Sequence, residues 1–322
     1  MSDIRLSLTL YALSAEYTTG RFTLEDCLRK AAQMGYTGIE MVASQMVPEY
    51  PYPSRAWMDH FKELLAKYDL HPVCYSAYID MGTHADRDLS EAEIVESTRA
   101  DLEYASYMGF DIVRTQHAIS PKIYRQMLPY AAKVGVPLTI EMHHPHNPTV
   151  PVWQEYLRIM KEEPEYSGVV PDFSIFAEHP HKLEKIQAVE DFGCRPEMVE
   201  EITARHTAGD SEEEMLQGDY TVPEKNYVKE LFETYGDGHA HLEWLNEVLP
   251  YTRYIHGKFW YLDEDEIDRT IPCDKLLPLI KKAGYSGYMA SEYEGHHFSE
   301  TLNSCEQLQR WVNMSRRILA SC

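Results

Sequence analysis

Eight short, largely apolar segments recur along the chain, and stretches with helical periodicity separate them. The strand-like segments fall at 5–10, 38–43, 71–78, 111–117, 137–143, 168–175, 252–259 and 287–293. Amphipathic stretches at 23–34, 54–68, 90–108, 121–134, 150–163, 272–283 and 299–319 read as helices. Parallel strands need crossover helices between them, so this alternation predicts a parallel α/β fold. The punctuation agrees. Thr23 with Glu25 and Asp26, and Ser90 with Glu91 and Glu93, read as capped helix starts with acid in the first turn. Gly35, Gly109, Gly135 and Gly284 stand where helices should stop. Eight such units closing on themselves make a (β/α)₈ TIM barrel, whose chemistry sits at the C-terminal ends of its strands. A chain of 322 residues suits one such domain, expected to span 1–322.

Four strands of the second half each end in a potential metal ligand. PLTIEMH (137–143), VVPDF (169–173), RYIHGKF (253–259) and YMASEY (288–293) offer Glu141, Asp172, His256 and Glu292. Strand side chains alternate, so a carboxylate among Leu, Ile, Val and Met points away from the face its neighbours bury. Three carboxylates and one imidazole without a thiolate suit a hard or borderline divalent ion, Mn²⁺ first, with Mg²⁺ or Co²⁺ as alternatives. Asp172 also has the alternative of capping a turn at its strand's end, and Glu141 that of a buried ion pair in the barrel.

Other residues group around these four. Glu141 and His143 lie two apart and share a side, which sets an imidazole suited to general base catalysis beside a metal ligand. His144 should face the other way, and His146, in a proline-rich loop, should be structural or rim-forming, as should His296 and His297. Lys258, two after His256, either neutralises an oxyanion or pairs with Glu294. For Glu40, substrate hydroxyl binding and structural pairing are both open. Phe173, Phe176, Trp260 and Tyr261, near strand ends, offer a flat wall for a sugar or polyphenol, or simply pack barrel against helices.

Composition narrows the partners. A net charge of −22, from 52 acidic and 30 basic residues, repels a phosphate backbone and argues against nucleic acid. A neutral sugar or glycoside meets no such penalty. The six dispersed cysteines form no C-x-x-C pair and predict reduced thiols in a cytoplasmic protein. No apolar run approaches membrane-spanning length, and MSDIRLSLTLY lacks a cationic leader. One unit breaks the rhythm: about seventy-five residues, 177–251, separate strands six and seven. They include an acidic run, Gly209 to Glu214, and a helix-like stretch from Pro223 to Tyr235. The expectation is a lid, specificity region or subunit contact, too polar to form a core of its own.

Glu141, Asp172, His256 in an H-x-K sequence, and Glu292 resemble the metal site of the xylose isomerase-like sugar phosphate isomerase/epimerase barrels. GYTGIE (35–40) and GYSGYMASEY (284–293) resemble that superfamily too. The E-x-H pair and the long segment after strand six are most similar to the α subunit of bacterial C-glycoside deglycosidases. That resemblance implies a metal-dependent lyase cleaving the sugar–aryl bond of 3-oxo-C-glycosides, with Mn²⁺ or Mg²⁺, His143 as base and a small β subunit in a hetero-oligomer. The site itself leaves three outcomes open after α-proton abstraction from a keto sugar: elimination, isomerisation or epimerisation. An inosose dehydratase and a non-catalytic sugar-binding subunit stand as further alternatives.

Overall fold

The computed structural model of the chain describes residues 4–116, 118–299 and 301–322. His117, at the end of the predicted fourth strand, Glu300, in the predicted last helix, and the first three residues of the start read for a leader lie outside the described residues. All eight predicted strands are present: β1 (Arg5–Thr9), β2 (Gly38–Val42), β3 (His71–Ser76), β4 (Ile112–Thr115), β5 (Leu138–Met142), β6 (Ser167–Pro171), β7 (Ile255–Phe259) and β8 (Tyr288–Tyr293). Every pairing is parallel, in the order β6-β5-β4-β3-β2-β1-β8-β7. Single bridges from Val169 to Thr252 and from Asp172 to His256 bring the two ends together into a nearly closed (β/α)₈ barrel. The second of these joins two of the predicted ligands.

Strand alternation sorts the side chains into two cores. Outward residues such as Leu8, Ile39, Met41, Ile140 and Met289 join the large cluster under the helices. A separate cluster holds Cys74, Ile112, Val170, Tyr254, Tyr288 and Ala290. Two residues beyond five of these, on the same face of each strand, come Ser76, Arg114, Asp172, His256 and Glu292. The barrel interior is therefore an apolar plug below and a charged layer above, at the strands' C-terminal ends. Between His256 and Lys258 the chain needs Gly257, because a Cβ there would lie 2.6 Å from the Trp311 ring and 2.8 Å from the Ala290 carbonyl.

The helices begin and end as the caps predict. Thr23 and Ser90 each close a capping box, with Asp26 and Glu93 reaching back. The final helix, Ser304–Ser321, starts later than predicted because Asn303 accepts from the Cys305 and Glu306 N–H groups. β6 is also shorter than predicted: Asp172 Oδ1 accepts the Ser174 N–H at 2.6 Å and turns the chain into a 3₁₀ turn, Phe173–Phe176.

The 177–251 segment is helical and packs onto the barrel without forming a core of its own. It folds into five helices: Lys182–Glu190, Pro196–Thr207, Glu212–Leu216, Val222–Tyr235 and Trp244–Val248. These bury Val199, Ile202, Met215, Tyr227, Val228, Leu231 and Val248 in continuity with the main core. Its acidic run is a helix start, with Ser211 capping and Glu214 returning to the Ser211 N–H. Of these helices the sequence shows Val222–Tyr235, whereas Glu212–Leu216 and Trp244–Val248 span too few residues to display a period. Among the described residues no helix is long and apolar enough to cross a membrane.

Candidate metal centre

Glu141, Asp172, His256 and Glu292 converge at the barrel mouth, with one donor atom of each within 4.8 Å of all the others. His256 Nδ1 lies 2.8 Å from Glu141 Oε1, 2.9 Å from Glu292 Oε2 and 3.8 Å from Asp172 Oδ2. On the far side of the ring, Nε2 lies 2.8 Å from Glu40 Oε2. An ionised carboxylate only accepts, so Nε2 carries a proton; burial disfavours a charged ring, yet Glu292, Glu40 and Glu141 hold the imidazolium well above its ordinary value, with Nδ1 facing three carboxylate oxygens. His256 Nδ1, Asp172 Oδ2 and Glu292 Oε2 have no hydrogen-bond partner although all are buried. Acceptors crowded in this way repel unless positive charge lies among them; a proton at Nδ1 supplies it, and a divalent ion takes that proton's place when bound. Donors at ~2.1 Å in an octahedral shell sit about 3 Å apart, close to the spacings seen here. The residues present fit a divalent ion.

The surroundings orient these donors. Glu141 gives its other oxygen to Arg114 Nη1 and, at 3.0 Å, to Gln116 Nε2, leaving Oε1 toward the site. Arg114 also donates to Glu40 Oε1 at 3.0 Å, to Tyr78 at 2.9 Å and to Ser76. Glu40 thus has no access to the cavity. It takes the structural-pairing place of the two left open for it, and the substrate-binding expectation is corrected because His256 and Arg114 engage both of its oxygens.

Electrostatics follow from this crowding. Burial pushes the Glu292 carboxyl up to about 8, against the pull of His256 and Lys258. Burial acts on Glu141 too, but Arg114 and His256 hold it well below the usual carboxylate range. For Asp172, burial is outweighed chiefly by Lys258. Lys258 is itself disfavoured as a cation by burial, yet Asp172, Glu292 and Glu294 keep its ammonium well above its ordinary value. Its Nζ lies 2.8 Å from Glu294 Oε1, 3.4 Å from Asp172 Oδ2 and 3.5 Å from Glu292 Oε2. Lys258 is a fixed positive charge at this site and an unsuitable base.

A cavity of about 520 Å³ opens over these groups, bordered by Glu141, His143, Lys258, Glu292, Glu294 and Trp260. His143 Nδ1 is 2.6 Å from the carbonyl oxygen of His144, which assigns its proton to Nδ1 and makes Nε2 the accepting nitrogen. His144 also lines the cavity, and its ring Nε2 meets the Glu233 carbonyl. His146 is structural, accepting the Trp153 indole N–H at 2.8 Å. His296 is bonded to Ser14, and His297 to Tyr11, which itself borders the cavity.

Phe173 is corrected as a substrate contact. The turn after Asp172 sends it into the core, against Phe176 and Trp311, while Trp260 does border the cavity. Arg114, Gln116, Tyr11 and Tyr78 went unnoticed in the sequence. Ile112, Arg114 and Gln116 carry the signal that finds two of them: one inward face of β4, turning from apolar to polar at the strand's end.

The model of the xylose isomerase-like TIM barrel family matches residues 28–316. The chain is 27% identical to the 3'-dehydrocarminate deglycosidase alpha subunit of a Microbacterium species, over 98% of this chain and 95% of the relative. It is 26% identical to a C-glycoside deglycosidase alpha subunit of Arthrobacter globiformis, over 91% of this chain and 84% of that one. Among solved structures, D-psicose 3-epimerase with D-fructose superposes with a TM-score of 0.59 at 11% identity, covering 98% of this chain and 99% of its own.

Proposed function

The chain belongs to the xylose isomerase-like TIM barrel family, and from that premise we propose that it is the metal-dependent subunit of a C-glycoside deglycosidase, breaking the carbon–carbon bond between a 3-oxo sugar and an aryl group. The observation that carries the chemistry is the placement of His143 on the same cavity as the Glu141 and Glu292 donors. The relatives named deglycosidase alpha subunits, matched along nearly all of the chain, support removal of a sugar over isomerisation and support a partner subunit.

Glu141, Asp172, His256 and Glu292 would hold the ion, Mn²⁺ first, with Mg²⁺ or Co²⁺ as alternatives. When bound there, a divalent ion supplies the Lewis acidity that polarises a ketone and steadies the charge left by a departing α-proton. His143 accepts that proton at Nε2, the nitrogen left as acceptor by the His144 carbonyl. Lys258, fixed by Glu294, places positive charge where an oxyanion develops. The electron pair of the broken C–H bond becomes a carbon–carbon double bond. The sugar–aryl bond then breaks, and the aryl carbon leaves with its pair and takes up the proton that His143 carries. Trp260 offers a flat surface beside the sugar ring.

Incubating the Mn²⁺-loaded protein and its partner with an aryl 3-oxo-C-glucoside in deuterated water tests this. Free aglycone should appear, and His143→Ala should retain the ion yet lose α-proton exchange by about 10²-fold or more. An intact aryl bond with an isomerised or epimerised sugar as product would contradict the lyase reading.

A further inference from the structure

The catalytic cavity has a neighbour that shares part of its wall. A second cavity, of about 350 Å³, shares His144, Ser174, Ala177 and Thr234 with the first. Its outer wall comes from the inserted segment: Phe232, near the end of the helix Val222–Tyr235, and Trp244, which His241 overlies with ring centroids 4.5 Å apart and planes 22° from parallel. Phe232, His241 and Trp244 each keep part of their surface exposed. None of them belongs to the proton abstraction argued above.

The wall is tied to the reacting end. His144, the residue after the base, donates its backbone N–H to Ser174 Oγ at 3.1 Å and meets the Glu233 carbonyl through its ring. The C-terminal end of the inserted helix is thereby fixed against the end of β5. Flat aromatic walls accept planar rings. Asn147, Asp237 and His239 border the same space and can hydrogen-bond ring hydroxyls, so a hydroxylated ring suits it better than a bare hydrocarbon.

Resting on the deglycosidase reading, we propose that this second cavity is the subsite for the non-sugar half of the substrate, a planar polyphenol, and that Phe232 and Trp244 set which aryl groups enter. The sugar ketone sits over the barrel mouth, and the aryl group extends past His144 and Thr234 onto the inserted segment. A long insertion at this position then has a direct use, as the selectivity wall of a barrel whose ion site is generic.

The test compares the Mn²⁺-loaded parent, assembled with its partner subunit, with Phe232→Ala and Trp244→Ala in the same assembly. Calorimetry with a free flavone as probe should show affinity weakened by about tenfold in each variant. The KM for an aryl 3-oxo-C-glucoside should rise by a similar factor, and at least about threefold more than that for the bare 3-oxo sugar in α-proton exchange. Flavone affinity unchanged in both variants, or equal losses on the two substrates, overturns the subsite. A parent that exchanges no proton from either substrate overturns the deglycosidase reading instead. Flavone binding lost in the variants would then still uphold the subsite, and flavone binding kept in them would overturn it.

Discussion

His256 is held from both sides, and its two nitrogens do different work. Glu40 accepts from Nε2 at 2.8 Å, which fixes the ring and turns Nδ1 toward Glu141, Asp172 and Glu292. Arg114 fixes Glu40 in turn and also claims the outer oxygen of Glu141. Glu40→Ala should therefore weaken ion binding by about 10–100-fold although Glu40 touches neither ion nor cavity, while Glu40→Gln, which keeps a carbonyl acceptor, should lose less. Titration calorimetry with Mn²⁺ reads this directly, and an alanine variant that binds like the parent would place the control of His256 elsewhere. The four donors were legible because period-two alternation makes a carboxylate in an apolar strand conspicuous. Glu40 and Arg114 were harder, since the alternation of β2 and β4 places both side chains but does not reveal that they pair with each other. Phe173 misled for a local reason: the Asp172 side chain turns the chain before the strand's alternation reaches it.

The barrel elements were legible at the level of existence and type, since each strand–helix unit is long enough to show its period and carries its own caps. Their ends were not, because Asn303 and Asp172 shift boundaries through single side-chain bonds. The helix Glu91–Met108 carries a feature no pattern reveals. Asp101 is 1% exposed, its Oδ2 has no partner, and burial pushes its carboxyl from 3.8 up to about 8. The folded chain keeps a proton that the unfolded chain releases, so this contribution to stability is full below about pH 4 and is lost as the pH rises through about 8. Asp101→Asn keeps the shape without the titration. Its advantage over the parent in thermal melts should widen between about pH 5 and pH 8, reaching about 1–3 kcal/mol. A gap that stays constant across that range would show that Asp101 finds a partner.

At the scale of the whole molecule, an acidic chain of net charge −22 gathers Glu40, Glu141, Asp172 and Glu292 in one buried layer, with Arg114 and Lys258 as the cations among them. Such a layer favours a divalent cation over any anionic ligand that lacks one. An ion that binds only the folded barrel also stabilises it, by about 2.7 kcal/mol at a hundredfold excess over Kd, so chelation should lower the melting temperature. The central claim is that one ion sits among Glu141, Asp172, His256 and Glu292. The direct measurement is Mn²⁺ content by mass spectrometry after chelator stripping and reloading, for the parent and for Glu141→Ala, Asp172→Ala, His256→Ala and Glu292→Ala. The parent should reload about one ion per chain, and each variant should lose most of it. Four variants that reload like the parent would contradict the account.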